Sequence, residues 1–139
     1  MCIFCKITEG SIPSHTIYED KLFKVILDKF PSTKGHTLII PKIHAENIFD
    51  IPREEAAALG ELIQKTAIGL KEALNMEGLN LIQNNGAFAG QEVFHFHFHL
   101  IPRYKGDGLR FNYGKKTEIT DQEAEGIIKA IRVCKNEIS

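Results

Sequence analysis

Residues 93–102 read VFHFHFHLIP and place a histidine at every second position, at His95, His97 and His99. The positions between the histidines are apolar and are filled by Phe94, Phe96, Phe98 and Leu100. Such alternation is typical of a β-strand, in which successive side chains point to opposite faces of the sheet. We therefore predict a strand over residues 92–101, with the apolar side chains toward the core and the histidines on the other face.

The histidine face admits three interpretations. It is a solvated polar face, a His-x-His metal pair completed by a ligand from elsewhere, or a phosphate site in which an imidazole acts as nucleophile. Alternate side chains lie about 6.5–7 Å apart, so one ion with bonds of about 2 Å cannot bind all three histidines. A neutral imidazole is nucleophilic at about pH 7 and its protonated form is an acid, which favours the phosphate site.

The segment before this strand, NNGAFAGQE at residues 84–92, contains two glycines beside amide side chains. Glycine lets backbone N–H groups approach an anion closely. The same residues are typical of an ordinary turn, so the segment alone does not establish a phosphate site. Together with the histidines that follow, it favours a phosphate site.

The rest of the chain predicts an α+β fold. Apolar residues from Leu59 to Leu74 follow helical spacing after Pro52, and Thr120 with Glu123 resembles a capping box before a C-terminal helix. The loop between the last two strands is too short for a crossover helix, so these strands should pair antiparallel. We expect about five mostly antiparallel strands with one long helix, a C-terminal helix and an irregular segment at 104–118, in a single domain over residues 1–139. The expected strands are 15–20, 22–28, 35–42, 79–84 and 92–101.

Composition excludes several classes of partner. The 139 residues are 43% apolar and 25% charged, with a net charge of −1, which is typical of a globular protein and gives no electrostatic reason for nucleic-acid binding. No apolar run approaches the roughly 20 residues of a membrane span, and the N-terminus lacks the pattern of a signal peptide. We therefore expect a cytoplasmic location, with no nucleic-acid or membrane partner.

The three cysteines fall into two groups. Cys134 lies at helical spacing with Ile127, Ile128 and Ile131, and we expect it to be a small core residue. Cys2 and Cys5 form a C-x-x-C pair, which in a cytosolic protein indicates metal or redox chemistry more often than a structural disulfide. A redox pair would begin a helix after a strand, and no strand is predicted before it. Two buried cysteines without metal remain the alternative.

The row from His95 to Ile101 resembles the His-φ-His-φ-His-φ-φ signature of the histidine triad (HIT) superfamily. The resemblance covers nearly the whole chain, because IFCKI (3–7), LDKFPSTKGHTLIIPKIH (27–44) and NNGAFAGQEVFHFHFHL (84–100) also match. It implies a HIT-like fold that binds nucleotides and cleaves bonds at the α-phosphorus through a nucleotidyl-histidine intermediate. It also implies a homodimer.

The resemblance assigns roles to residues of this chain. His97 would be the nucleophile, with His99 and His36 as supporting histidines. Asp28 would bind the ribose hydroxyls, and the phosphate would be held by Asn84 and the backbone of Gly90 and Gln91. The base would lie against Ile3, Phe4 and Ile7, for which ordinary N-terminal core packing is the alternative.

One residue departs from the family pattern. The nucleoside phosphoramidase branch usually has Ser where this chain has Glu92, and the dinucleoside-polyphosphate hydrolase branch has Thr. The carboxylate of Glu92 adds negative charge near the phosphate, so the resemblance does not settle which leaving group the site accepts.

The resemblance also implies a zinc site. Some HIT proteins hold one structural zinc with two cysteines and two histidines, which correspond here to Cys2, Cys5, His44 and His95. Four protein ligands leave no open position, so such an ion would brace the fold and would not activate water.

The sequence as a whole predicts a nucleotide hydrolase or transferase. Its substrates would be purine nucleotide conjugates, either nucleoside phosphoramidates or dinucleoside polyphosphates. The alternative, which Glu92 keeps open, is a nucleotide-binding or partner-binding module whose hydrolysis is slow or incidental.

Overall fold

The computed structural model describes residues 2–133 and contains one sheet of five strands. The strands are β1 His15–Glu19, β2 Phe23–Leu27, β3 Thr37–Pro41, β4 Gly78–Ile82 and β5 Phe98–Arg103, and the helices are α1 Ile3–Thr8, α2 Arg53–Ala73 and α3 Asp121–Val133. In space the strands lie in the order β1-β2-β3-β5-β4, and every neighbouring pair is antiparallel. This confirms the predicted α+β class and its antiparallel sheet.

The chain divides into two compact units, residues 1–109 and 110–139. The first contains the sheet with α1 and α2, and the second contains α3. At the start of α3 the expected capping box is present, because the Glu123 N–H donates to Thr120 Oγ1 at 3.1 Å and the Thr120 N–H donates to Glu123 Oε1 at 3.3 Å. The single domain stays a prediction. Cys134 lies outside the described residues.

The long helix α2 packs against one face of the sheet. Its Leu59, Leu62 and Leu70 are buried, as their helical spacing predicts. Burying each leucine contributes roughly 1.5–3 kcal/mol. The sheet side of this cluster consists of Phe23, Val25, Ile39, Phe96 and Leu100.

The opposite face of the sheet is covered by α1, a helix that the sequence did not predict. Phe4 and Ile7 of α1 pack in a second buried cluster with Ile26, Leu38 and Ile40, which alternate along their strands with the residues facing α2. The buried Lys24 ammonium donates to the Ile7 carbonyl at 3.0 Å. A cation at this end of a helix satisfies a carbonyl that has no partner within the helix.

The predicted strand 92–101 is wrong in its first half, because β5 begins only at Phe98. Beyond the end of β3 the neighbouring backbone is a loop, and the Phe96 N–H donates to the Ala45 carbonyl of that loop at 2.7 Å. Phe96 and Leu100 are buried as expected and Phe98 packs against the same core, but Phe94 is 43% exposed. The core face that we predicted therefore excludes Phe94.

No helix within residues 2–133 combines the length and apolar character needed to cross a membrane.

Candidate active site

A cavity of about 870 Å³ opens in the first unit, between α1, the end of β2 and the loop that leads into β5. It brings together most of the residues to which the sequence analysis gave a substrate or catalytic role. Those that line it are Ile3, Phe4, Ile7, Asp28, Asn84, Gly90, Glu92, His97 and His99. His36 and Gln91 lie behind this lining and are buried.

One end of the cavity is apolar. Phe4 and Ile7 belong to the buried cluster under α1 and also face the cavity, so they both pack in the core and line the cavity. Ile3 is 49% exposed. Sequence reasoning missed the strand side chains of this end, Ile26, Leu27 and Leu38. The signal that could have located Ile26 and Leu38 was the continuous apolar run in each strand, because such a run indicates that both faces of the strand are covered.

The hydrogen bonds around His36 fix the protons on two histidines. The Ser32 N–H donates to His36 Nδ1 at 3.0 Å, so the proton of a neutral His36 lies on Nε2. That Nε2 lies 2.9 Å from His99 Nδ1, to which it donates. The proton of a neutral His99 therefore lies on its Nε2. Asp28 supports this arrangement, because its Oδ2 lies 3.7 Å from His36 Nε2.

The orientation of His97 suits a nucleophile. Its Nδ1 lies 2.8 Å from the backbone oxygen of His95 and can only donate there, which leaves the lone pair of the neutral ring on Nε2. The ring lies edge-on to Phe4 at 4.9 Å and to His99 at 4.9 Å between ring centroids. Packing on both sides holds the imidazole in one orientation at the edge of the cavity.

Burial keeps these histidines neutral. It lowers the pKa of His36 and of His97 below the usual value, while the Asp28 carboxylate acts in the opposite direction. The pKa of His99 falls to about 4, first because of burial and then because of charge on His97 and His36. A neutral imidazole at physiological pH has a lone pair available for attack on phosphorus.

The loop before β5 contributes Asn84 and Gly90. Gly90 has φ +93°, in the left-handed region that favours glycine, and a Cβ added there would lie 3.6 Å from Asn84 Nδ2. The N–H groups of Gly90 and Gln91 donate within the loop, to the carbonyls of Ala87 and Gly86. Both N–H groups are thus engaged, and among these residues the Asn84 amide is the donor that faces the cavity.

The Gln91 side chain holds this loop in place. Its Nε2 donates to the Glu46 carbonyl at 2.7 Å and to the Val93 carbonyl at 3.1 Å, and its Oε1 accepts from the Gly86 N–H at 2.7 Å. Glu92 is different, because its exposed carboxylate lines the cavity and forms no hydrogen bond or ion pair within residues 2–133.

A second cluster lies beside the cavity, where Cys2, Cys5, His44 and His95 place one ligand atom each within 4.8 Å of one another. His95 Nδ1 lies 3.2 Å from Cys2 Sγ, 3.4 Å from Cys5 Sγ and 3.2 Å from His44 Nδ1. In a tetrahedron with ordinary zinc bonds, N–N and N–S edges are about 3.3–3.6 Å. The four residues therefore fit a zinc ion.

Two further features favour a cation at this cluster. His95 Nε2 donates to the Pro41 carbonyl at 2.8 Å, which directs the lone pair on Nδ1 toward the two sulfurs. Burial and the adjacent Cys2 raise the pKa of Cys5 to about 11. Two thiols this close do not both ionise unless a cation compensates their charge.

The C-x-x-C pair begins the helix α1, which the sequence did not predict, because Cys2 is the N-cap of α1. No strand precedes it in the described part of the chain. A reactive redox cysteine has a lowered pKa, and Cys5 has the opposite.

Asp28, His36 and His99 also place ligand atoms within 4.8 Å of one another. His36 does not fit a metal there. Its Nε2 holds the proton, since Nδ1 accepts from the Ser32 N–H. This group is therefore a hydrogen-bonded chain beside the cavity.

Comparisons with known proteins relate this chain to one family. Residues 9–106 match the family model described as HIT domain. An uncharacterized HIT-like protein of Methanocaldococcus jannaschii is 43% identical over 95% of this chain and 99% of its own. An adenylylsulfatase of Arabidopsis thaliana is 36% identical over 94% of this chain and 68% of its own length. An adenosine 5′-monophosphoramidase of Saccharomyces cerevisiae is 43% identical over 73% of this chain and 62% of its own length.

Solved structures show the same fold. A HIT family protein from Bacillus anthracis superposes with a TM-score of 0.88 at 40% identity, over 99% of this chain and 97% of that one. A Zn-bound histidine triad family protein from Mycobacterium smegmatis superposes with a TM-score of 0.74 at 37% identity, over 96% of each chain.

Proposed function

This chain belongs to the HIT family, and we propose that it is a nucleotide hydrolase or transferase that cleaves purine nucleotide conjugates at the α-phosphorus. His97 would be the nucleophile. The observation that carries the proposal is the free lone pair on its Nε2, in a partly buried neutral ring at the edge of a nucleotide-sized cavity. The substrates would be nucleoside phosphoramidates or dinucleoside polyphosphates.

The cavity offers a place for each part of a nucleotide. The purine lies at the apolar end, against Ile3, Phe4 and Ile7. The ribose hydroxyls donate to the Asp28 carboxylate, whose one oxygen already accepts from the Phe30 N–H at 2.9 Å. The α-phosphate lies beside His97, where Asn84 and the Nε2–H of His99 are donors to its oxygens.

The reaction would proceed in two displacements at phosphorus. The lone pair of His97 Nε2 forms a bond to phosphorus while the bond to the leaving group breaks, and the leaving group departs with that electron pair and a proton. Water then attacks the nucleotidyl-histidine, the P–N bond breaks, and a nucleoside monophosphate is released with His97 restored. His99, held by His36, donates to the phosphate oxygen on which charge grows.

Two relatives support this substrate class, since they are named as an adenylylsulfatase and an adenosine 5′-monophosphoramidase. Both names describe enzymes that act on an adenosine 5′-phosphate derivative. A homodimer and a cytoplasmic location, expected from the sequence, stay predictions.

We also propose that Cys2, Cys5, His44 and His95 hold one structural zinc per chain. The ion would supply structural bracing, because four protein ligands leave no position for water. The chain's own contribution is to hold α1 against the loop that leads to His97, since His95 lies two residues before it.

Turnover of an adenosine 5′-phosphoramidate tests the proposed function. We expect release of adenosine monophosphate by the wild-type protein, and no release by His97→Asn, a variant that should still bind adenosine monophosphate. Tight nucleotide binding without turnover would instead favour the alternative, a nucleotide-binding or partner-binding module. Glu92 is the observation that favours this alternative, because its carboxylate lies near the phosphate.

A further inference from the structure

The charged side chains that line the cavity are unevenly distributed. Asp28 and Lys29 lie together at the end of β2, whereas Glu92 comes from the loop before β5. Lys29 is the one lysine or arginine among the described residues that line the cavity. Its ammonium lies 5.9 Å from the centre of the Phe30 ring. The loop that contains Glu92 brings no cation to the lining to balance it.

The two carboxylates that line the cavity differ in their partners. Asp28 accepts the Phe30 N–H at 2.9 Å. Glu92 has no such partner within residues 2–133. Its charge is therefore available to whatever enters the cavity beside His97.

The position of Glu92 in the cavity suits contact with the leaving group of the substrate. This step rests on the proposed function, in which the ribose lies at Asp28 and the phosphorus at His97. The remaining substituent on phosphorus then lies toward the part of the cavity lined by Asn84, Gly90 and Glu92. Of these three residues, Glu92 is the one with a charged side chain.

We propose that Glu92 determines the leaving-group specificity of this site, by attracting amines that carry a positive charge and repelling anions such as sulfate or polyphosphate. The preferred substrates are then phosphoramidates of amines with a second, protonated amino group. Because Glu92 is exposed and solvent screens its charge, each unit of leaving-group charge should change kcat/KM by about twofold to fivefold.

The reaction balances without any further reagent than water. His97 Nε2 bonds to phosphorus, the P–N bond to the amine breaks, and the amine nitrogen keeps the electron pair and takes a proton from solvent. Hydrolysis of the adduct completes the turnover. A phosphoramidate monoanion and water give a nucleoside monophosphate dianion and an alkylammonium ion, so the net charge is −1 on both sides.

Three probes that differ in leaving-group charge test the proposal with the full chain. They are adenosine 5′-phosphoramidates of 1,4-diaminobutane and of butylamine, which are nearly the same in shape, and adenosine 5′-phosphosulfate. We expect the wild-type protein to prefer the diaminobutane conjugate over the butylamine conjugate by about twofold to fivefold in kcat/KM. The ratio should fall toward one as the salt concentration rises.

Glu92→Gln removes the charge and keeps the shape, and Glu72→Gln is the matched control on the exposed surface of α2. We expect Glu92→Gln to abolish the preference between the two amines and to raise turnover of the phosphosulfate relative to the butylamine conjugate by a similar factor. Glu72→Gln should keep the wild-type ratios.

The outcomes separate the two proposals. Turnover of the conjugates with the same ratios in wild type and Glu92→Gln overturns the role of Glu92 and leaves the proposed function intact. Absence of turnover with all three probes overturns both. If Glu92→Gln fails to fold, the wild-type preference between the two amine conjugates and its salt dependence still test the proposal. A preference that does not arise from charge would not change with salt concentration.

Discussion

His36 Nε2 lies 2.9 Å from His99 Nδ1, and this bond orders the imidazoles beside the cavity. The Ser32 N–H fixes the tautomer of His36, and His36 in turn fixes that of His99. The proton on His99 Nε2 thus results from a chain that begins at a backbone N–H of another loop. His36 does not line the cavity, yet it determines which nitrogen of His99 holds the proton.

Replacement of His36 tests this chain of bonds. In His36→Phe, His99 loses its donor and its ring is no longer held in one tautomer. We expect kcat for an adenosine phosphoramidate to fall by about 10²-fold, the usual worth of one positioned proton donor, with little change in the affinity for adenosine monophosphate. Gln64→Phe, on the exposed surface of α2 and outside the cavity lining, is the control. An unchanged kcat in His36→Phe would show that His99 needs no partner.

Stability should depend on pH through His99, whose pKa is lowered to about 4 in the folded protein. The unfolded chain takes up its proton near pH 6.5 and the folded protein does not, so acidification favours unfolding. The stability present above pH 6.5 is therefore lost as the pH falls from about 6.5 to about 4. Urea denaturation at about pH 7.5 and pH 5 should show wild type losing about 1–2 kcal/mol more than His99→Asn. Equal losses would contradict the lowered pKa.

Asp28 should discriminate ribose from deoxyribose. Asp28→Ala is expected to weaken the binding of adenosine monophosphate by about 1.5–3 kcal/mol, the usual worth of hydrogen bonds to a charged group. A 2′-deoxy nucleotide should lose much less on the same substitution, because it has one hydroxyl fewer to donate. Isothermal titration calorimetry measures both. Equal losses for the two nucleotides would instead assign Asp28 to the support of His36, whose Nε2 lies 3.7 Å away.

The cysteine–histidine cluster should contain about one zinc per chain after purification without added metal. Cys5→Ser should lower the zinc content and the melting temperature, and chelation should lower the melting temperature of wild type but not of this variant. Cys134→Ser is the control for zinc content, because it removes a cysteine that is not among the four proposed ligands. Elemental analysis well below one zinc per chain, with no effect of chelation on stability, would contradict the site.

Much of the fold follows from the sequence because its elements are long or strongly patterned. The leucines of α2 and the β-branched and aromatic residues of β1 and β2 each predict an element that the structure contains. The helix α1 was missed, because six residues are too few to show helical periodicity and such a helix is stable only through packing. Its anchors, Lys24 and Ile26, come from a strand far along the sequence.

The sequence predicted the residues of the candidate site but not the hydrogen bonds and ring contacts between them. A regular strand over residues 92–101 would have spaced the histidines evenly, whereas the irregular backbone before Phe98 brings the rings of His97 and His99 to 4.9 Å between centroids. The partnership of Ser32 with His36, and the use of the Gly90 and Gln91 N–H groups within their own loop, depend on loop conformation that local sequence does not specify.

The central claim is that His97 attacks phosphorus, and one measurement tests it most directly. An adenosine phosphoramidate is mixed with excess protein, the reaction is quenched in base to preserve phosphorus–nitrogen bonds, and the peptides are mapped by mass spectrometry. We expect an adenylyl adduct on His97 that builds up and decays at the rate of turnover, and no adduct in His97→Asn. An adduct on His99 or His36, or full turnover by His97→Asn, would contradict the claim.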